Sequence, residues 1–342
     1  MSGFDGIVGQ AHAIGALTRL IHNHRIPNSL LFTGIRGVGK LRSAIAFAKT
    51  YNCSSTVESL SSNNIGSSTF TAWSSSHPKP CGGCPSCRKI ETGQHPDVIL
   101  IRPEKSEIVI DQIRRLLQIL AMKPYEARLR VAIVTEADHM NQSAGNALLK
   151  ILEEPPDSTL LILTAEQPFN LLPTIISRCQ QLRFRPLSRT EIVEVLARHH
   201  GVDANQATTI ASLCAGSVGR AVEMSDPGWL EWRERMLEIL SVWDNLPVNV
   251  RLGVGEKLLA SPKKLDQALD MFAFWRRDML MIKYGKTCLM YPDKVKMIEA
   301  AADRTTASDL TACLDAIHHM RYYLGARGNP KLLMDNLMLK LT

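Results

Sequence analysis

GIRGVGKLRSA, residues 34–44, is a phosphate-binding loop with one residue out of place. Gly34, Gly39 and Lys40 meet the pattern G-x-x-x-x-G-K-[ST], with Gly37 inside it, but Leu41 stands where a serine or threonine hydroxyl would hold magnesium. The surroundings are right for such a loop. SLLFT (29–33) reads as a short buried strand entering it, and Lys40 opens a helix-like stretch that runs to Tyr51. A strand, a glycine loop and a helix start aim backbone N–H groups and a helix dipole at phosphate. Ser43 is no replacement for the missing hydroxyl, because two residues further on it lies roughly 200° around the helix.

Working outward, DVILI (97–101), RVAIVT (130–135), TLLILT (159–164) and QQLRF (180–184) read as further buried strands. Between them lie amphipathic helical stretches, IDQIRRLLQIL (110–120) and NQSAGNALLKILEE (141–154), the second stopped by Pro155–Pro156. Strands alternating with helices predict an α/β P-loop domain, a five-stranded parallel sheet flanked by helices. The second half of a nucleotide site is usually an acidic pair ending another strand. Here the candidate is Thr135 followed by Glu136, with Thr135 where an aspartate would hold magnesium through water. Two independent losses predict a site that holds nucleotide, or merely the shape of the site, and hydrolyses it slowly or not at all.

Strand-like runs cease after Pro186. The expected division is an α/β domain over 1–187, a small helical unit over 188–226 and an all-helical domain over 227–342. LDQALDMFAFWRRDMLMI (265–282) shows the helical spacing of the last part. SSTVESLSSNNIGSSTFTAWSSS (54–76) lacks any period and is expected to be a mobile excursion. With 342 residues, 45% of them hydrophobic and 21% charged, the chain suits a soluble globular protein. No stretch approaches the roughly 18 apolar residues of a membrane span, and no secretory signal is visible, so a cytoplasmic location is expected. A net charge of +7 favours polyanionic partners only weakly.

In that compartment eight cysteines point to metal ligands and buried thiols rather than disulfides. CGGCPSC sets Cys81, Cys84 and Cys87 at successive C-x-x-C spacings, and Cys53 can complete four thiolates, with His77 or His95 as fallback. This pattern, an insertion at about 53–90, suits structural zinc; an iron–sulfur cluster and uncoordinated thiols are the competing readings. Cys179, Cys214, Cys288 and Cys313 are scattered and expected to be buried.

Several stretches together resemble one family. FDGIVGQ (4–10), RIPNSLLFTGIRGVGK (25–40), NALLKILEEPP (146–156), TIISRCQQLRF (174–184) and NPKLLMDNLMLKL (329–341), with the cysteine knuckle, are similar to the bacterial DNA polymerase III clamp-loader family. Loss of both magnesium contacts makes the chain most similar to the delta-prime branch rather than the gamma/tau ATPases. The resemblance implies an AAA+ domain, a helical lid and an all-helical collar. It also implies partners: gamma/tau and delta subunits, and through the complex the sliding clamp and primer–template DNA, with no membrane. Such a chain is a subunit of the DNA polymerase III holoenzyme, a DNA-directed DNA polymerase, and acts as a largely non-hydrolysing stator.

In that family ATP sits at joints between neighbours, and Arg178 in ISRC matches the arginine lent to the neighbour's site; the competing reading is a surface pair with an acidic group. Ile7, Val8 and the segment near Arg25–Pro27 match adenine-side contacts, Thr164 the polar residue that orients water, and Arg220 in GSVGRA the lid's sensor arginine. Because Leu41 and Thr135 depart from the active pattern, these positions are either a working ATP or ADP site, with Mg²⁺ poorly held, or relics of one. Arg114, Arg115 and Lys123 are candidate phosphate contacts to DNA, with a solvated basic face as the equal alternative. Arg276 and Arg277 read as collar packing or surface pairs. The runner-up function is an active gamma/tau-type ATPase in which Glu136 and a displaced magnesium ligand suffice. A stand-alone zinc-dependent DNA-binding module is the third reading.

Overall fold

A computed structural model describes residues 3–56, 78–104, 107–325 and 328–341. Most of the serine-rich excursion, and His77, lie outside the described residues. The chain divides into two compact units, residues 1–199 with 215–220, and residues 200–214 with 221–342.

The first unit is built on a parallel sheet of β1 (Ser29–Thr33), β2 (Val98–Ile101), β3 (Arg130–Val134), β4 (Thr159–Ala165) and β5 (Gln180–Arg183), in the order β2-β3-β4-β1-β5. The three central strands are buried along their whole length. That is why their sequences read as unbroken apolar runs, since helices cover both faces of such a sheet. Alternation along the strand divides the core in two. Phe32, Ile162 and Val131 face a cluster with Leu17 and Ile21 of α1 (Ala11–His22) and Phe47 of α2 (Lys40–Tyr51). Leu31, Leu161 and Leu163 face Leu116 of α4 (Ile110–Leu120), Leu148 of α5 (Gln142–Glu153) and Ile175 of α6 (Pro173–Ile176). Between α2 and α4 comes the short α3 (Pro85–Glu91).

The outer strands correct the reading of five buried runs. β2 leaves Leu100 37% exposed, and β5 buries only Leu182 of its four residues. Each lies at an edge of the sheet, where, among the described residues, one flank has no neighbouring strand. Register places the ends of the central strands together, Phe32 beside Thr164 and Val134 beside Leu163. The loops leaving β1, β3 and β4 therefore emerge at one edge, where ligands of open parallel sheets bind.

α7 (Arg189–His200), α8 (Ala204–Leu213) and α9 (Val218–Met224) follow the sheet. The second unit is all-helical, with α10 (Pro227–Ser241), α11 (Val248–Leu259), α12 (Pro262–Lys283), α13 (Val295–Ala302), α14 (Ala307–Gly325) and α15 (Pro330–Lys340). Arg276 is buried in it, donating to Asp244 at 2.8 Å and to the Leu341 carbonyl at 3.1 Å. Arg277 is half-exposed and pairs with buried Asp278 at 2.8 Å. Cys179, Cys214 and Cys313 are buried as expected, but Cys288 is exposed. It sits in the irregular connection after α12, where no helix face covers it. Among the described residues no helix is long and apolar enough to cross a membrane.

Candidate functional site

The glycines of the loop after β1 are there for steric reasons. Gly34, Gly37 and Gly39 have φ of +142°, +80° and +102°, which side-chain-bearing residues rarely adopt. A Cβ on Gly34 would come within 2.5 Å of the Phe184 carbonyl, and one on Gly37 within 2.3 Å of Ser217 Oγ. The loop is tied down from outside as well. The Ser217 hydroxyl donates to the Arg36 carbonyl at 2.7 Å, and the Gly219 N–H to the Gly37 carbonyl at 2.9 Å. Arg220, half-buried on α9, thus follows directly on a residue touching the loop; its N–H donates to Ser217 Oγ at 3.2 Å. Ile7 and Val8 are half-buried, and Ile7 reaches within 3.5 Å of where a Gly39 Cβ would stand.

Lys40 donates to the Gly34 carbonyl and, at 2.9 Å, to that of Ile35. Burial lowers its pKa, and the carboxylates of Glu166, Asp138 and Glu136 partly offset that. Leu41 packs against the core cluster beside α1 and α2. Ser43 is wholly buried, and its hydroxyl has no protein partner. Neither presents an oxygen to the loop.

At the end of β3, the buried Thr135 hydroxyl donates to the Ile101 carbonyl at 3.1 Å. Glu136 takes a left-handed conformation, φ +52°, and its N–H donates to Thr164 Oγ1 at 3.1 Å. Its carboxylate lies 3.5 Å from His139 Nδ1, a pairing that holds the acid low and pushes the imidazole up. Asp138 accepts the N–H groups of Glu166 and Gln167 at 3.0 and 2.8 Å, binding the loop after β4 to the turn after β3. Thus Lys40, Glu136 and Thr164 meet at one edge of the sheet. Asp138, which sequence reasoning missed, joins them; its place two residues past Glu136 was the available signal.

Arg178 follows α6. It pairs with Glu153 at 2.9 Å and donates to the Thr174 carbonyl at 3.2 Å, with 38% of its side chain exposed. The structure therefore shows the feature of the competing reading, an acidic surface partner, on a side chain folded back over its own turn.

The sulfurs of Cys53, Cys81, Cys84 and Cys87 lie within 4.8 Å of one another. Backbone N–H groups of Cys81, Cys84 and Cys87 donate to the sulfurs of Cys53, Cys81 and Cys84, at 3.2, 3.3 and 3.4 Å. Such donors stabilise thiolate, and around Cys84 the side chain and backbone of Ser54, with the Cys87 N–H, outweigh burial and bring the thiol to about 6. Four thiolates bound to zinc at about 2.3 Å would stand about 3.8 Å apart, so this set fits the ion with little contraction. His95 lies apart, its Nδ1 accepting from the Asp97 N–H at 3.1 Å.

Comparison with known proteins matches this architecture. The family model described as DNA polymerase III, delta subunit, matches residues 9–188, and that of its C-terminal part matches residues 227–342. DNA polymerase III subunit delta' of Bacillus subtilis is 30% identical over 337 residues, 97% of this chain and 96% of the relative. The chain belongs to the DNA polymerase III delta-prime family. The Escherichia coli K12 subunit delta' is 29% identical over 77% of this chain and 79% of the relative. The tau/gamma subunit of Haemophilus influenzae is 36% identical over 57% of this chain, which spans 25% of that relative.

In this delta-prime family chain the candidate basic contacts lie on α4 and in the segment after it, exposed to solvent. Arg114 is 64% exposed and 3.5 Å from Asp111; Arg115 and Lys123 are exposed. The loop that carries Lys123 is held by a buried charge pair the sequence reading also missed. Arg130 donates to Asp97 at 2.9 Å and to the carbonyls of Ile119, Met122 and Lys123. Asp97 in turn accepts the N–H groups of Tyr125, Glu126 and Ala127. The signal was one charge at the start of each of two adjacent strands.

Proposed function

We propose that this chain is the delta-prime stator of a replicative clamp loader, hydrolysing little or no ATP itself and lending Arg178 to the ATP site of a neighbouring gamma/tau-type subunit. The observation that carries this reading is the occupation of both magnesium positions by other roles. Leu41, half-buried, packs against the core, and the Thr135 hydroxyl is engaged by Ile101. The loop's shape survives, with Lys40 bonded to the loop's own carbonyls, so the site suits a domain kept for its form more than its turnover. A guanidinium reaching a γ-phosphate neutralises transition-state charge and contributes about 10³ to 10⁵ in rate.

The rest of the proposal follows the family. Residues 1–187, 188–226 and 227–342 act as AAA+ domain, lid and collar. ATP or ADP would be held by Ile7, Val8, Gly34, Gly37, Gly39, Lys40, Thr164 and Arg220. Cys53, Cys81, Cys84 and Cys87 would hold zinc in a closed site that staples the insertion. Arg114, Arg115 and Lys123 would meet primer–template DNA phosphates within the complex, with the delta subunit and sliding clamp as further partners, in the cytoplasm. The test is DNA- and clamp-stimulated ATPase of the reconstituted loader with Arg178→Ala in this chain. A large fall, at least the share of turnover belonging to the joint that Arg178 completes, is expected with assembly intact by sizing. An unchanged rate would end the trans-acting role, and turnover at this chain's own loop would favour the gamma/tau-type reading.

A further inference from the structure

We infer that Glu153 is a positioning residue for Arg178, holding the guanidinium on its own domain until a neighbour's γ-phosphate takes it away. The inference rests on the trans-acting reading of Arg178 and concerns how that arginine is released.

The backbone of Arg178 is fixed. Its carbonyl accepts the Ser29 hydroxyl at 2.8 Å, and Ser29 is the buried first residue of β1, the strand that enters the phosphate loop. Its N–H donates to Ile175 at 3.1 Å, and two residues later Gln180 pairs with Leu30 in the sheet. The base of the side chain therefore moves only with the sheet.

The tip is held differently. One guanidinium nitrogen meets Glu153 at 2.9 Å, and another the Thr174 carbonyl four residues back, which folds the side chain over its own helix turn. Glu153 is the last residue of α5, where the helix dipole is negative, and Pro155–Pro156 keeps the helix from continuing. A carboxylate there is ill-placed for its own helix and well placed for a cation. Both partners are about half exposed, 38% and 53%, so the pair is weak enough for a better anion to displace. A γ-phosphate, with more charge and several acceptor oxygens, is such an anion, whereas ADP offers none at that distance.

The arrangement therefore makes release of Arg178 a measure of whether the neighbour carries ATP. Removing the carboxylate frees the arginine in both states, but only ATP uses it. In the reconstituted loader, affinities for ADP and for a non-hydrolysable ATP analogue are measured with wild-type chain, Glu153→Gln, Glu153→Asp, Arg178→Ala and the Glu153→Gln/Arg178→Ala double variant.

The expected result for Glu153→Gln is analogue binding tighter by about two- to five-fold, the weight of one half-exposed ion pair, with ADP binding unchanged. Glu153→Asp should restore wild-type behaviour, and the effect of Glu153→Gln should vanish when Arg178 is absent. If Arg178→Ala weakens analogue binding but Glu153→Gln leaves the analogue-to-ADP ratio unchanged or lowers it, Glu153 is not the holder and the inference falls. If Arg178→Ala itself changes neither affinity nor turnover, the trans-acting reading fails first.

Discussion

Asp97 and Arg130 stand 2.9 Å apart at the starts of neighbouring strands, with side chains 1% and 4% exposed. Pairing Val98 with Val131 in the sheet register sets the two charges side by side. Their remaining capacity goes to backbone groups of the 119–127 segment, so an ion pair that would be costly if isolated is fully hydrogen-bonded.

Removing one partner should strand the other charge in the interior. Asp97→Asn or Arg130→Ala is expected to cost about 3–5 kcal/mol in urea unfolding. Burial pushes the Asp97 carboxyl up, but the three N–H donors and Arg130 outweigh it and leave it at about 2. A carboxylate held below its unfolded value of about 3.9 stabilises the fold above that pH, and the support is lost as pH falls through about 2. The gap between wild type and Asp97→Asn should accordingly be full at neutral pH and shrink between about 4 and 2. A gap independent of pH would mean that the charge of Asp97 is not what matters.

Gly37 and Gly93 separate two costs that are often confused. Both have positive φ, +80° and +70°, but a Cβ on Gly93 meets nothing within 4 Å, whereas one on Gly37 meets Ser217 Oγ at 2.3 Å and Gly219 at 3.0 Å. Gly93→Ala should lose about 1 kcal/mol, the backbone strain alone. Gly37→Ala adds the clash and should lose about 2–3 kcal/mol by thermal unfolding, with greater protease sensitivity near 217–219. Equal losses would show that the loop and the 217–219 turn do not press on each other.

The four sulfurs make a prediction about stoichiometry. Purified chain should carry a single zinc ion, measured by elemental analysis, and Cys87→Ser should abolish it, because Cys87 is a buried member of the set. A chelator should loosen the cysteine knuckle, seen as new proteolysis within the Cys81–Glu91 segment at pH 7, while the sheet's circular dichroism persists. Iron and acid-labile sulfide in place of zinc would favour the cluster reading.

Local patterns were legible because they depend on neighbours in sequence. SLLFT, the glycines and Lys40 form one continuous element, and their strand, loop and helix stand where the spacing put them. What failed depended on position in the assembled sheet. DVILI has the composition of an interior strand yet lies at an edge, since an apolar run does not say how many neighbours a strand has, whereas the two glutamines and the arginine of QQLRF were already the mark of an edge. Cys288 lies in a run mixing Lys and Cys after a helix, with no period to betray its exposure. The bonds that tune the site join residues far apart in sequence, Arg178 with Glu153 and Asp138 with Gln167, and only the fold brings them together.

The two displaced magnesium positions give the sharpest test of why this loop exists. In the wild-type chain magnesium should change ATP affinity by less than about two-fold, because Leu41 offers no oxygen and the Thr135 hydroxyl faces Ile101. Leu41→Thr alone supplies one ligand, and Thr135→Asp alone supplies the other while giving up the bond to Ile101, so neither single change should hold the ion well. The Leu41→Thr/Thr135→Asp variant restores both, and magnesium should then strengthen ATP binding by about tenfold or more, about 1.4 kcal/mol in calorimetric titration. The double change also buries a carboxylate at a site 7% exposed, so some loss of stability without magnesium is expected, and its recovery on adding magnesium and ATP is a second readout. A wild-type chain whose ATP binding already tightens tenfold with magnesium would point instead to Asp138 or Glu136 as the ligand, and the non-hydrolysing reading would have to be given up.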